Sequence, residues 1–252
     1  MLSYKHVSVS VSGTHILEDI NIDFNDGNIT TIVGPNGCGK TTLLSCLNSS
    51  AKVTSGNICI NDIDFLKLPL KERAREVAFL PQIRTVIPVL PVRTLVEHGR
   101  FPYLGFTRRK SKEDIDIVNQ SMDFTHVTAY SEQNADTLSG GIRQRVFFSM
   151  ILARDSQIIV MDEPVTYLDL EGKRNFFNML KKLRQSGKTI ILVLHELSDA
   201  IRISDNIVIM NDRKIVAHGT PDECISSHII EDVFHTTYKK FSDEDGDYYI
   251  FL

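Results

Sequence analysis

Ile29-Thr30-Thr31-Ile32-Val33-Gly34-Pro35-Asn36-Gly37-Cys38-Gly39-Lys40-Thr41-Thr42 is an apolar run closed by a glycine loop, and Leu43, Leu44 and Leu47 continue it as one face of a helix. Strand, loop and helix in this order make Gly34-x4-Gly39-Lys40-Thr41 a phosphate cradle. Glycines let backbone N–H groups converge on phosphate oxygens without an obstructing Cβ. The helix start at Lys40 adds a field that favours anions. Lys40 supplies a point charge to the β- and γ-phosphates of a nucleotide, and the Thr41 hydroxyl is placed to ligate Mg2+.

Working outward, residues 2–11 alternate as a half-buried strand and Ile20 to Phe24 alternates again. Asn25-Asp26-Gly27 reads as a hairpin-type turn. After the loop, the pattern predicts a strand at about Asn57 to Ile63, a short helix after Pro69 and a strand at Val77 to Leu80. Pro81, Pro88 and Pro91 then punctuate a loop, and residues 92–153 read mainly as helix and loop. Strand character returns at Gln157 to Asp162 and Thr189 to Leu194, with a helix over Leu170 to Gln185 between them, so these strands are expected to be parallel. Ile207 to Met210 and Lys214 to Ala217 form a closing pair, and Tyr238 to Leu252 resembles a hairpin with the acidic tip Asp243-Glu244-Asp245-Gly246-Asp247. The expected architecture is α/β: one domain over 1–252, with a core at about 1–90 and 155–252 and an inserted helical subdomain at about 91–154.

The formal charge of −4 leaves no electrostatic footprint for nucleic acid, which is not expected as a partner. Arg108-Arg109-Lys110 reads as a solvated basic run. No apolar stretch approaches the ~20 residues needed to span a bilayer. The first residues lack the apolar core of a signal peptide, so the expected location is the cytosol. The four cysteines show no metal-ligand spacing, which argues against zinc and structural disulfides. Cys38 differs by lying inside the phosphate loop. Its alkylation is expected to block nucleotide hydrolysis, with bound nucleotide protecting.

Four further places carry chemistry. Ile158 to Glu163 is an apolar strand ending in two carboxylates, at the edge where ligands sit in open α/β sheets. Asp162 is the outer carboxylate for a magnesium shell, and Glu163 is the candidate base for an attacking water. Leu138-Ser139-Gly140-Gly141 opens a helix with Ser139 as N-cap, a second anion site. Gln82 and His195 each follow a strand and so face the same edge. A P-loop kinase would leave the Ser139 string and His195 unexplained.

Together the P-loop, Gln82, Leu138-Ser139-Gly140-Gly141, Asp162-Glu163, Leu168-Asp169 and His195 resemble the nucleotide-binding subunit of ABC transporters, in order and spacing over nearly the whole chain. The resemblance implies a P-loop NTPase cassette with an antiparallel β subdomain, a mostly parallel core sheet and a helical insertion, hydrolysing ATP with Mg2+. It implies a head-to-tail dimer in which Gly34, Pro35, Asn36, Gly37, Cys38, Gly39, Lys40, Thr41 and Thr42 of one copy hold ATP against Ser139, Gly140 and Gly141 of the other. By the same likeness Glu163 is catalytic, His195 contacts the γ-phosphate, Asp169 communicates across the dimer, and Gln82 senses both magnesium and a membrane permease. The metal residues are then Thr41, Gln82 and Asp162. His98-Gly99-Arg100-Phe101-Pro102-Tyr103-Leu104-Gly105 and Glu163-Pro164-Val165-Thr166-Tyr167-Leu168-Asp169 look like the subfamily importing iron–siderophore complexes, haem or cobalamin. That likeness implies a peripheral subunit on the cytoplasmic face of the membrane, served indirectly by an extracellular or periplasmic binding protein. A soluble ABC-type ATPase of translation or DNA repair is the competing class, but it commonly carries two fused cassettes or long coiled-coil insertions, and neither is seen. Two positions depart from the family pattern. Ile142 stands where Gln is usual, and Val11 stands where an aromatic usually stacks on adenine; Tyr4 lies too early and reads as a strand residue.

Overall fold

The computed structural model describes residues 1–82, 87–105, 109–243 and 246–252. β1 (Leu2–Val11) and β2 (Thr14–Phe24) form a hairpin over Ser12-Gly13, whose φ angles of 50° and 81° suit the twist of antiparallel strands. β2 is longer than its alternation suggests, because register shifts along β1 break the period of two. β3 (Ile29–Val33) then enters a different sheet and delivers the glycine loop to α1 (Lys40–Ser45). Asn25-Asp26-Gly27 is therefore a turn between sheets and not a hairpin. The backbone there is held from far along the chain: Gly27 N–H donates to Thr189 Oγ1 at 3.0 Å, and Ile29 N–H to Asp205 Oδ2 at 2.8 Å.

β4 (Val53–Ile60) returns to pair with β1, and β5 (Ile63–Asp64) closes an antiparallel sheet of order β2-β1-β4-β5. α2 (Leu70–Glu76) leads into β6 (Val77–Leu80), and the helical stretch follows as α3 (Val92–Glu97), α4 (Lys112–Phe124) and α5 (Gly140–Leu152). These helices share an apolar cluster of their own that includes Val92, Val96, Val118, Met122, Val127 and Val146. Phe148 and Ile151, further along α5, belong instead to the main core. One helix thus spans both bodies.

β7 (Ile158–Asp162), α6 (Leu170–Gln185) and β8 (Thr189–Val193) form the expected parallel unit. α7 (Leu197–Ile203), β9 (Asn206–Asn211) and β10 (Lys214–Gly219) complete the second sheet, of order β10-β9-β3-β8-β7-β6, parallel except for β10. α8 (Pro221–Ser226), α9 (Ile229–Phe234) and the hairpin of β11 (Tyr238–Asp243) and β12 (Gly246–Phe251) end the chain. Glu244 and Asp245, from the expected acidic tip, lie outside the described residues, as does Arg108 of the basic run.

Every residue of β3, β7 and β8 is buried, including Thr30 and Thr31 of β3, and β7 and β8 accordingly read as largely unbroken apolar runs. Ile32, Val160, Ile191 and Val208 face the antiparallel sheet and α1, whereas Val33, Met161, Leu192 and Ile209 face the helices of the opposite layer. Each such side chain contributes roughly 1.5–3 kcal/mol on burial, so the strand ends that carry the site are fixed by packing on both faces. No helix among the described residues is long and apolar enough to cross a membrane.

Candidate functional site

The strand order brings the separate sequence motifs to one edge. Because β3, β8, β7 and β6 run parallel, their carboxyl ends present the glycine loop, His195, Asp162-Glu163 and Gln82 side by side. β7 lies between β8 and β6. Glu163 is consequently flanked by His195 on one side and Gln82 on the other.

In the loop, a Cβ built at Gly34 would stand 2.3 Å from Met210 O and 2.7 Å from Cys38 Sγ, so only glycine fits beneath β9. Gly39 caps α1 at φ 109°, where a Cβ would also meet Leu17 Cδ2 at 2.6 Å. Lys40 is buried, and its Nζ donates to the carbonyls of Gly34 at 2.7 Å and Pro35 at 2.9 Å, which pins the charge to the loop. Thr41 is exposed beside it, and Thr42 is half-buried. Cys38 is buried, and burial pushes its pKa up against the pull of the Lys40 charge. The thiolate is the reactive form of a cysteine, and burial disfavours it here.

Glu163 adopts φ 50°, an unfavourable backbone region for a residue with a side chain. Its carboxylate is almost enclosed. Gln82 Nε2 donates to Oε2, and His195 Nε2 lies 2.5 Å from Oε1. The His195 ring itself is about half exposed. Asp162, one residue back, is buried at the end of β7.

Ser139 is the N-cap of α5 by backbone geometry, but its side chain makes no capping hydrogen bond. A cleft of about 430 Å³ opens here, lined by Ser139, Gly141, Tyr167, Leu168, Asp169 and Asn175 among others. Neither Gly140 nor Gly141 has a left-handed φ, and a Cβ on either would meet only ordinary contacts, with Tyr167 at 3.8 Å and Leu168 at 3.6 Å. Among the described residues nothing requires glycine at these positions. Gln144 Nε2 donates to Pro164 O at 2.7 Å, so α5 is braced on the turn that carries Glu163. Asp169 is the N-cap of α6, accepting from Gly172 N–H at 2.7 Å.

The two departures acquire physical reasons. Ile142 is half-buried against the apolar cluster of the helical stretch, a place where an aliphatic side chain packs better than an amide. Val11 is 58 % exposed beside the Ser12-Gly13 turn and offers no ring. Tyr4 is a core residue: it is buried, its hydroxyl donates to Leu43 O at 3.0 Å, and burial raises its pKa well above the ordinary value.

Sequence reading missed Lys173, which is bonded to Glu196 and Asp199, and the buried pair Arg100–Asp114. Lys173 sits on the polar face of an amphipathic helix, where it looks like ordinary surface. Arg100 stood in the quoted His98–Gly105 string, but nothing in the sequence marks Asp114 as its partner.

Thr41, Gln82 and Asp162 offer a hydroxyl, an amide and a carboxylate. Gln82 donates through nitrogen, which leaves its oxygen as an acceptor. An all-oxygen set suits Mg2+. Among the described residues no group of three or more His, Cys, Asp or Glu side chains could hold a metal, so a cation here needs phosphate oxygens and water to complete its shell.

A phosphate loop on a parallel sheet, with a glutamate between Gln and His at the same edge, defines a nucleotide-hydrolysing cassette. Residues 17–166 match the ABC transporter family, and the chain belongs to it, as an ATPase. It is similar to the petrobactin import ATP-binding protein FpuD of Bacillus anthracis, with 37 % identity over 92 % of this chain and 86 % of that one. The ferric enterobactin transport ATP-binding protein FepC of Escherichia coli (strain K12) is 36 % identical, over 87 % of this chain and 81 % of its own. Among solved structures, a dimeric bacterial ABC transporter cassette superposes with a TM-score of 0.78 at 27 % identity, covering 88 % of this chain and 99 % of the other.

Proposed function

We propose that the chain is the ATP-hydrolysing subunit of an importer of iron–siderophore chelates, working as a pair of identical cassettes. The substrate class rests on its similarity to proteins named for petrobactin and enterobactin transport. The carrying observation for the mechanism is the Gln82–Glu163–His195 cluster. Glu163 accepts the proton of the attacking water, Gln82 and His195 hold its two oxygens, and His195 reaches the γ-phosphate. Gly34 to Thr42 bind and orient the triphosphate through backbone N–H groups and the Lys40 ammonium. Thr41, Asp162 and Gln82 would hold Mg2+, which when bound neutralises charge on the β- and γ-phosphate oxygens.

The free Ser139 hydroxyl, the unforced glycines after it, and the exposed Tyr167 and Leu170 beside them support a face that closes over ATP held by a second copy. ATP then joins the pair and phosphate release reopens it. A peripheral position on the cytoplasmic side of a membrane permease, with an external binding protein delivering the chelate, completes the assembly. Glu163→Gln should bind ATP normally and turn over ~10²–10⁴-fold more slowly; unchanged turnover would remove Glu163 from the role. Deleting the gene should abolish growth on a ferric siderophore as sole iron source. Retained growth there with loss of haem or cobalamin uptake would overturn the substrate assignment.

A further inference from the structure

Lys173 lies in the first turns of α6, four residues after Asp169. Its Nζ is 2.5 Å from Glu196 Oε1 and 3.1 Å from Asp199 Oδ2. Glu196 directly follows His195 and is the N-cap residue of α7; Asp199 lies in the first turn of that helix. Lys173, Glu163, Thr166, His195, Glu196 and Asp199 together line one cavity of about 170 Å³.

On its amino-terminal side the His195 turn is tied to the sheet, where Leu194 N–H donates to Ile32 O at 3.3 Å. On its carboxyl-terminal side the neighbouring residue is held by the ammonium. We propose that Lys173 is a positioning residue for ATP hydrolysis: it clamps the segment after His195 to α6 and so keeps the ring within reach of Glu163. The proposal rests on the catalytic reading of Glu163 and His195 given above.

Lys173 is suited to this because it is charged and mostly covered. Burial works against its charge, but the hydrogen bonds to Glu196 and Asp199 outweigh it and hold the ammonium above its ordinary pKa. Glu196 is 65 % exposed, so its half of the bridge is screened by solvent. Asp199 is mostly covered, and burial holds its carboxyl above the ordinary value despite the Lys173 bond. Without the cation, Glu196 and Asp199, both at the start of α7, lose their shared tie to α6. His195, half exposed and one residue before Glu196, would lose that support on its carboxyl-terminal side. The clamp also ties His195 to the helix that begins at Asp169, beside the Ser139 cleft. A disturbance of that face would therefore reach the hydrolytic pair.

The test is a double-mutant cycle on the full chain, with ATPase rates measured for the wild type, Lys173→Met, His195→Ala and the double variant. Lys173→Met keeps the aliphatic stem and should lower kcat about 10-fold or more, since small misplacements of a reacting group cost up to about 10²-fold. KM for ATP should stay within about two-fold, because Lys173 makes no contact with the phosphate loop. Lys173→Arg should restore most of the rate, as a guanidinium can bridge two carboxylates. In the His195→Ala background, Lys173→Met should add less than about two-fold, the non-additivity of residues acting as a unit. Asp199→Asn provides a second entry into the clamp, should the methionine variant fold poorly, and should lower kcat in the same direction. Wild-type kcat in Lys173→Met, multiplicative losses in the double variant, or a loss confined to KM would overturn the clamp. Wild-type turnover in His195→Ala would instead sink the catalytic reading of His195, and with it this proposal.

Discussion

Replacing Asp114 by Ala should loosen the helical body that carries Ser139, and the structure sets the size of the effect. Arg100 Nε donates to Asp114 Oδ1 at 2.8 Å, with the two side chains only 5 % and 11 % exposed. The same carboxylate accepts from Ser111 N–H and Ser111 Oγ, both at 2.8 Å, closing the capping box of α4. Arg100 Nη1 donates in turn to Ala153 O at the end of α5, and the guanidinium lies 3.9 Å from the centre of the Tyr103 ring. Removing one partner of a buried pair leaves an uncompensated charge and costs about 3–5 kcal/mol. Loss of the cap costs ~1 kcal/mol, part of which is already counted. We expect about 4 kcal/mol in urea denaturation, and a fall in Tm of roughly 8–16 °C for a chain of this size. Asp114→Asn, which keeps an acceptor for Ser111, should fall between the two.

The pH dependence gives a second readout. Burial pushes the Asp114 carboxyl up, but Ser111 and Arg100 outweigh it and hold it below its ordinary value. The stability it contributes is then complete above about pH 4, the value in the unfolded chain, and is lost as pH falls through the lower folded value. The gap between wild type and Asp114→Ala should therefore close in acid. A loss under ~1 kcal/mol at neutral pH would refute the claim that this pair anchors α4 to α5.

Two further outcomes follow from the phosphate loop. Gly34→Ala places a methyl group 2.3 Å from Met210 O, so β9 or the loop must shift; nucleotide affinity should fall about 10-fold or more, with ~1–3 kcal/mol of destabilisation, by nucleotide titration and denaturation. Native binding and stability would show that the loop tolerates a side chain there. Iodoacetamide should modify Cys38 in the folded chain roughly tenfold or more slowly than a free model thiol at neutral pH, measured by mass spectrometry; matching rates would mean that the thiol is accessible.

The parts of this molecule legible in the sequence are those governed by local pattern. β7 and β8 are buried on both faces and so read as unbroken apolar runs with abrupt ends, and the loop after β3 is marked by glycines that sterics demand. What escaped is long-range. Asp26-Gly27 signals a reversal but not which sheet receives the chain, and that choice is made by Thr189 and Asp205, far along the sequence. Gln82, Glu163 and His195 were each placed at a strand end, yet their contact follows only from the order β8-β7-β6. Lys173 carries no local mark, because its partners lie on another element, and the Ser111-x-x-Asp114 capping signature marks a helix start but not the pairing with Arg100.

Subunit complementation tests the shared site most directly. Lys40→Ala disables the phosphate loop and Ser139→Arg disables the face that covers a partner's loop, so each pure variant should be almost inactive. Mixed in equal amounts, random pairing places an intact loop against an intact face in half of the dimers, and activity should return to as much as about a quarter of wild type. A mixture no more active than its separate components would contradict a nucleotide site built from two copies.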